Sequence, residues 1–134
     1  MDITVYVAKA LQLLFTVGLN CTSPNFDIKD HEIFLGPARC EAAGPHCALL
    51  LGAYFPYDPA GSENDGTRKN VIWLNQPALD RQGPNAWQHV ILHELAHCGR
   101  YEAREKAGTP HPSGLDPREE TETEVLTRRL LAPQ

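Results

Sequence analysis

Residues 93–97 read His93-Glu94-Leu95-Ala96-His97. On a helix, positions four apart stand one turn apart on the same face. Two imidazoles placed that way can grip one zinc ion. Glu94 projects beside them, where it can take a proton from a water activated by the metal. The alternative is a chance pair of core or surface histidines. His89 also pairs with His93 at a spacing of four, but Val90 follows it and cannot act as a base. His89 therefore reads as a cleft-lining residue rather than a ligand.

Catalytic zinc usually takes three protein ligands and keeps one position open. The extended pattern HExxHxxGxxH is absent, because Arg100 and Ala103 occupy its Gly and third His positions. The third ligand must come from further along, where His111, Asp116, Glu119, Glu120, Glu122 and Glu124 are the available donors. Residues 118–131 are predicted to form a helix whose apolar side carries Val125, Leu126 and Leu130. Glu122 shares that face, and Glu119 lies one turn earlier on it. Glu120 and Glu124 align instead with Thr127, Arg128 and Leu131 and are predicted to point to solvent. A carboxylate on a buried face needs a partner, and zinc would be one. The expected ligands are thus His93, His97 and Glu122, with Glu119, Glu124 and His111 as the other choices for the third. Tyr101, one turn beyond His97, and His111, in a following loop, are the expected oxyanion donors.

The elements that must position these groups are legible in outline. A first helix is predicted within residues 1–19. Short strands are predicted at 32–35, 47–54 and 71–74, with a long polar loop at 55–68. Residues 70–75 are the expected sheet edge, where an extended substrate could pair through its backbone. Asn85 is the expected N-cap of the motif helix, whose residues 86–98 lack Gly and Pro. Gly99 is expected to stop or bend it. Ile91, Leu92, Leu95 and Ala96 are its expected buried side. Residues 108–117 read as a loop before the last helix, whose acidic start and basic end suit the helix dipole. The expected fold class is α+β: a single compact, minimal zincin-like domain over residues 1–134. It has a small mixed sheet, the HExxH helix and a C-terminal helix.

A chain of 134 residues with 42% hydrophobic and 22% charged residues suits one globular domain. The net charge is −5 and there is no basic run, which argues against broad binding to nucleic-acid phosphates. The apolar start is interrupted by Asp2, Lys9 and Gln12 and has no basic lead, so it reads as a buried helix rather than an export signal or a membrane span. The four cysteines, Cys21, Cys40, Cys47 and Cys98, contain no Cys-x-x-Cys pair. Reduced thiols in a cytoplasmic monomer are the expectation; two disulfides in a secreted protein are the alternative. Cys98 is expected to pack to the side of the metal. Cys40 and Cys47, with His46, could form a disulfide or a weak metal site.

The chain resembles the gluzincins, zinc peptidases that pair HExxH with a downstream Glu. More narrowly, it is similar to the ImmA/IrrE-like metallopeptidases. The matching pieces are Gly52-Ala53-Tyr54, Val71-Ile72-Trp73-Leu74-Asn75, His93 to His97, Glu120-Thr121-Glu122 and Leu130-Leu131-Ala132-Pro133. Thr123-Glu124 departs from the small residue and Asn usual after the second Glu, and the loop at 55–68 is long. The resemblance implies a Zn2+-dependent peptidase acting on a protein substrate, and a cytosolic one that cleaves or regulates repressor proteins. The other class of function is a catalytically idle zinc module that binds a partner; a structural site would have no need of Glu94.

Overall fold

The computed structural model describes residues 2–34, 49–59, 67–112 and 116–133. In chain order the elements are α1 (Thr4–Phe15), β1 (Asn25–Lys29), β2 (Gly52–Phe55), β3 (Val71–Asn75), α2 (Gln76–Gln82), α3 (Pro84–Ala107) and α4 (Pro117–Leu131). The α+β class, the small mixed sheet, the motif helix and the C-terminal helix are present as expected.

β3 is β-branched and aromatic, and its alternate side chains Ile72 and Leu74 are fully buried. It lies at the centre of the sheet, with β1 parallel on one side and β2 antiparallel on the other. This corrects the expectation that residues 70–75 form the edge; β2 is the outer strand beside α3. β1 falls in a stretch that reads as a loop. Only Phe26 and Ile28 there are apolar, and the polar Asp27 and Lys29 pair with each other along the strand. Lys29 lies over the Trp73 ring at 4.7 Å and pairs with Asp27. The strand expected at 32–35 is represented by a single bridge between Phe34 and Leu49.

Asn75 turns the chain from strand into helix. Its side chain accepts from the Ala78 N–H and caps α2, while its amide donates to the Leu50 carbonyl at 2.8 Å. Gln76-Pro77 reads as a stop, yet proline at the start of a helix replaces a donor that would have no partner there. Gly83, at φ 95°, then makes the corner into α3. α3 begins at Pro84, ahead of the expected cap Asn85.

α3 runs through Gly99 without a break, for 24 residues. A Cβ on Gly99 would lie 3.1 Å from the Leu19 Cβ. That glycine serves the close passage of the chain after α1, not a helix stop. Ile91, Leu92 and Leu95 of α3 join Ala10 and Leu14 of α1 and Ile72 and Leu74 of β3 in one core. Fully burying a Leu or Ile contributes about 1.5–3 kcal/mol, so this packing dominates what holds α3 in place. No helix among the described residues is long and apolar enough to cross a membrane.

Cys21 and Cys98 form a disulfide across 77 residues, and both are buried. For this pair the expectation of reduced thiols is overturned. The turn after α1 brings Cys21 onto α3 immediately after His97, on the side away from the histidine stripe. Cys40, Cys47 and His46 lie outside the described residues. Glu102, also buried, strengthens the same junction: it accepts from the Thr22 N–H at 2.8 Å and pairs with Arg68 at 2.9 Å. Replacing Cys21 and Cys98 together by serine should cost about 2–4 kcal/mol, the usual contribution of a disulfide closing a long loop. Chemical denaturation of the double variant beside the wild type measures this, and equal stabilities would contradict it.

Candidate metal centre

The histidine stripe of α3 faces α4. His93 Nε2 and His97 Nε2 lie 3.2 Å apart. The carboxylate of Glu120 bridges them, with Oε1 at 2.6 Å from His93 Nε2 and Oε2 at 3.0 Å from His97 Nε2. Two ring nitrogens and one carboxylate therefore converge on a single point. Nitrogens this close cannot both carry protons aimed at each other. A zinc ion, which takes imidazole and carboxylate ligands in sets such as His2Glu, fits this donor set. The Glu120 side chain is 63% exposed, so the centre opens to solvent on that side.

Glu94 sits behind the stripe. Its carboxylate lies within 4.8 Å of ring nitrogens of both His93 and His97. It is buried, and it packs under β2. A Cβ on Gly52 would come within 2.7 Å of Val90 Cγ1 and 3.2 Å of Glu94 Cγ, so only a glycine lets the strand descend this far. Burial raises the proton affinity of Glu94, against the opposing pull of His97 and His93.

The third-ligand expectation needs correction. Glu122 does not approach the histidines; it pairs with Arg100 at 2.6 Å. Glu120, expected to face solvent, is the residue that meets both rings. The buried side of α4 is marked by Thr123 and Thr127, both fully buried, while Val125 is 51% exposed. Each threonine hydroxyl donates to a carbonyl one turn back: Thr123 to Glu119 and Thr127 to Thr123, both at 2.8 Å. Their polar atoms are thereby satisfied, so the face can be buried at little cost. Glu120 stands three residues before Thr123, and Glu124 three before Thr127.

The remaining carboxylates support the rings. Glu124 Oε1 is 2.6 Å from His89 Nε2 and 3.7 Å from His93 Nδ1. Thr123 Oγ1 is 3.3 Å and Glu119 Oε1 3.7 Å from His97 Nδ1. Glu119 is also gripped by both arms of Arg100, at 2.9 Å each, and by Arg104. Burial would raise the Glu119 carboxyl, but His97, Arg100 and Arg104 together hold it well below the usual carboxylate range. Hydrogen bonds to His93 and His97 do the same for Glu120. Burial opposes charge on His97, yet bonds to Glu119 and Glu120 outweigh it and push the imidazole up to about 9.

Tyr101 and His111 are brought together, but not into the metal centre. Their rings stack at 3.6 Å, nearly parallel, and the Tyr101 hydroxyl pairs with Tyr57. Among the described residues neither hydrogen-bonds to His93, Glu94 or His97. Sequence reasoning missed Glu120 and the Arg100–Arg104 clamp on Glu119. A signal was available: histidines every four residues at 89, 93 and 97, matched by glutamates four apart at 120 and 124. No protein-family model, curated protein or solved structure matches this chain.

Without metal, these charges link stability to pH. The raised His97 contributes stability that is fully present below pH 6.5 and is lost as pH rises toward 9. The depressed Glu119 and Glu120 contribute stability that is present above pH 4.5 and is lost as pH falls below it. Melts of chelator-treated protein should therefore be highest between these limits and should fall between pH 6.5 and 9; a Tm that rises steadily over that interval would contradict this.

Proposed function

We propose that the chain is a zinc-dependent peptidase of the gluzincin kind, with His93, His97 and Glu120 holding the metal. The single observation that supports this best is the Glu120 carboxylate spanning both motif histidines. The ImmA/IrrE-like resemblance points the same way. When bound, zinc supplies a Lewis acid that lowers the pKa of a water toward about 7 and polarises a peptide carbonyl.

The protein's own groups manage protons and position. Glu94 is within reach of the metal position and its proton affinity is raised by burial, so it accepts the proton of the attacking water. It then delivers that proton to the leaving amine. Gly52 lets β2 lie against Glu94 and hold its stem in place. Among the described residues β2 is also one of the two outer strands of the sheet, so an extended peptide can pair with its backbone alongside the centre.

One observation bears on where the protein works. The Cys21–Cys98 disulfide favours the exported alternative over a cytosolic one, because such bonds persist in oxidising compartments.

Glu94→Gln keeps the size and one acceptor oxygen of the side chain but cannot take up a proton. It should lower peptide hydrolysis by about 10²–10⁴-fold with zinc content unchanged. Glu120→Ala should lose activity and the zinc held between His93 and His97, whereas Glu122→Ala should keep both. Metal analysis beside a protease assay on a denatured protein substrate separates these cases. Equal activity of Glu94→Gln and wild type would remove Glu94 from the mechanism, and zinc-bound wild type that hydrolyses nothing would leave an idle zinc module as the reading.

A further inference from the structure

His89 has no part in the centre just described, yet it is held by the same architecture. Contacts between α3 and α4 run from Arg104–Glu119 through His97–Glu120 and His93–Glu120 to His89–Glu124. The two helices are therefore antiparallel. One turn toward the start of α3 meets one turn toward the end of α4. The inner set is His93, His97 and Glu120. Shifted by one turn on each helix, it becomes His89, His93 and Glu124.

The shifted set offers the same donor types in a looser arrangement. Glu124 Oε1 is 2.6 Å from His89 Nε2 and 3.7 Å from His93 Nδ1. One ligand atom from each of the three residues lies within 4.8 Å of the other two. His93 belongs to both sets through different ring nitrogens: Nε2 faces Glu120 and Nδ1 faces Glu124. The donors come from two helices, and two are imidazoles four residues apart, so this is more than a patch of acidic side chains.

We propose that His89, His93 Nδ1 and Glu124 form a second seat for a divalent transition metal, one helical turn outward from the first. A neutral imidazole offers one lone pair to a metal. The two seats therefore compete for His93, and a single ion divides between them rather than two ions binding side by side. An ion in the outer seat has the apolar Val90 where the inner seat has Glu94, so it lacks the base that follows the first histidine of the motif. The outer seat stores metal without chemistry, and the stored ion is one turn from the working position. Binding at the outer seat does not depend on whether the inner one hydrolyses anything.

The test is titration with Co2+ alone, followed by its visible absorption. Wild type should bind one equivalent. Glu120→Gln, at an exposed position that leaves the core untouched, disables the inner seat and should still bind one equivalent. Adding His89→Ala or Glu124→Gln to it should weaken binding by at least about tenfold, the loss seen even on removing groups that only support a ligand. His97→Ala, with and without His89→Ala, provides a second way to empty the inner seat should the first variant fold poorly. If Glu120→Gln binds no more Co2+ than its double variants, there is no outer seat. Two equivalents in wild type would overturn the competition for His93. Loss of all Co2+ from the single variant His89→Ala, with Glu120→Gln unaffected, would keep the outer seat and instead remove the basis of the proposed peptidase.

Discussion

The fit of α3 against α4 is the constraint on which the rest depends. Each helix carries its reactive groups every four residues, so each presents a straight row. Packed antiparallel, the rows mesh, and Glu120 falls between His93 and His97 at 2.6 and 3.0 Å. A shift of one residue in either helix would turn the carboxylate aside. That alignment is secured beyond the histidines by Arg100 and Arg104, which clamp Glu119. It is secured from below by Thr123 and Thr127, which bury a polar face without leaving a donor unpaired.

α3 can hold this position because three structures brace it. β2 bears on it through Gly52, with Glu94 caught beneath. α1 packs against it, and the passage at Gly99 admits the chain that leaves α1. The Cys21–Cys98 bond and the Glu102 contacts fasten that passage right after His97. The motif helix is thus fixed along its length, while the exposed Glu120 leaves one side of the centre open. A rigid donor set with an accessible face is the arrangement the proposed metal chemistry would need.

The meeting of His93, Glu94 and His97 was more legible in the sequence than the architecture around it. His93, Glu94 and His97 follow from a spacing of four alone, and β3 from its β-branched and aromatic run. Glu120 was hidden because hydrophobicity was the guide to the buried face of α4. That guide fails where threonines satisfy their own hydroxyls and go inside while Val125 stays out. β1 was hidden because a strand paired on one side can be mostly polar. α2 was hidden by Pro77, which can start a helix as well as stop a strand. Gly99 looked like punctuation and is instead a point of close contact. For β1 and Gly99 the deciding fact was a neighbour distant in sequence.

In the function proposed for the chain, Glu120, and not Glu122, completes a metal centre with His93 and His97. Anomalous scattering at the zinc edge, from crystals loaded with one equivalent of zinc, tests it most directly. Its principal peak should lie between His93 Nε2, His97 Nε2 and the Glu120 carboxylate, with Glu122 still on Arg100. A peak ligated by Glu122, or one that bypasses His97 altogether, would contradict it.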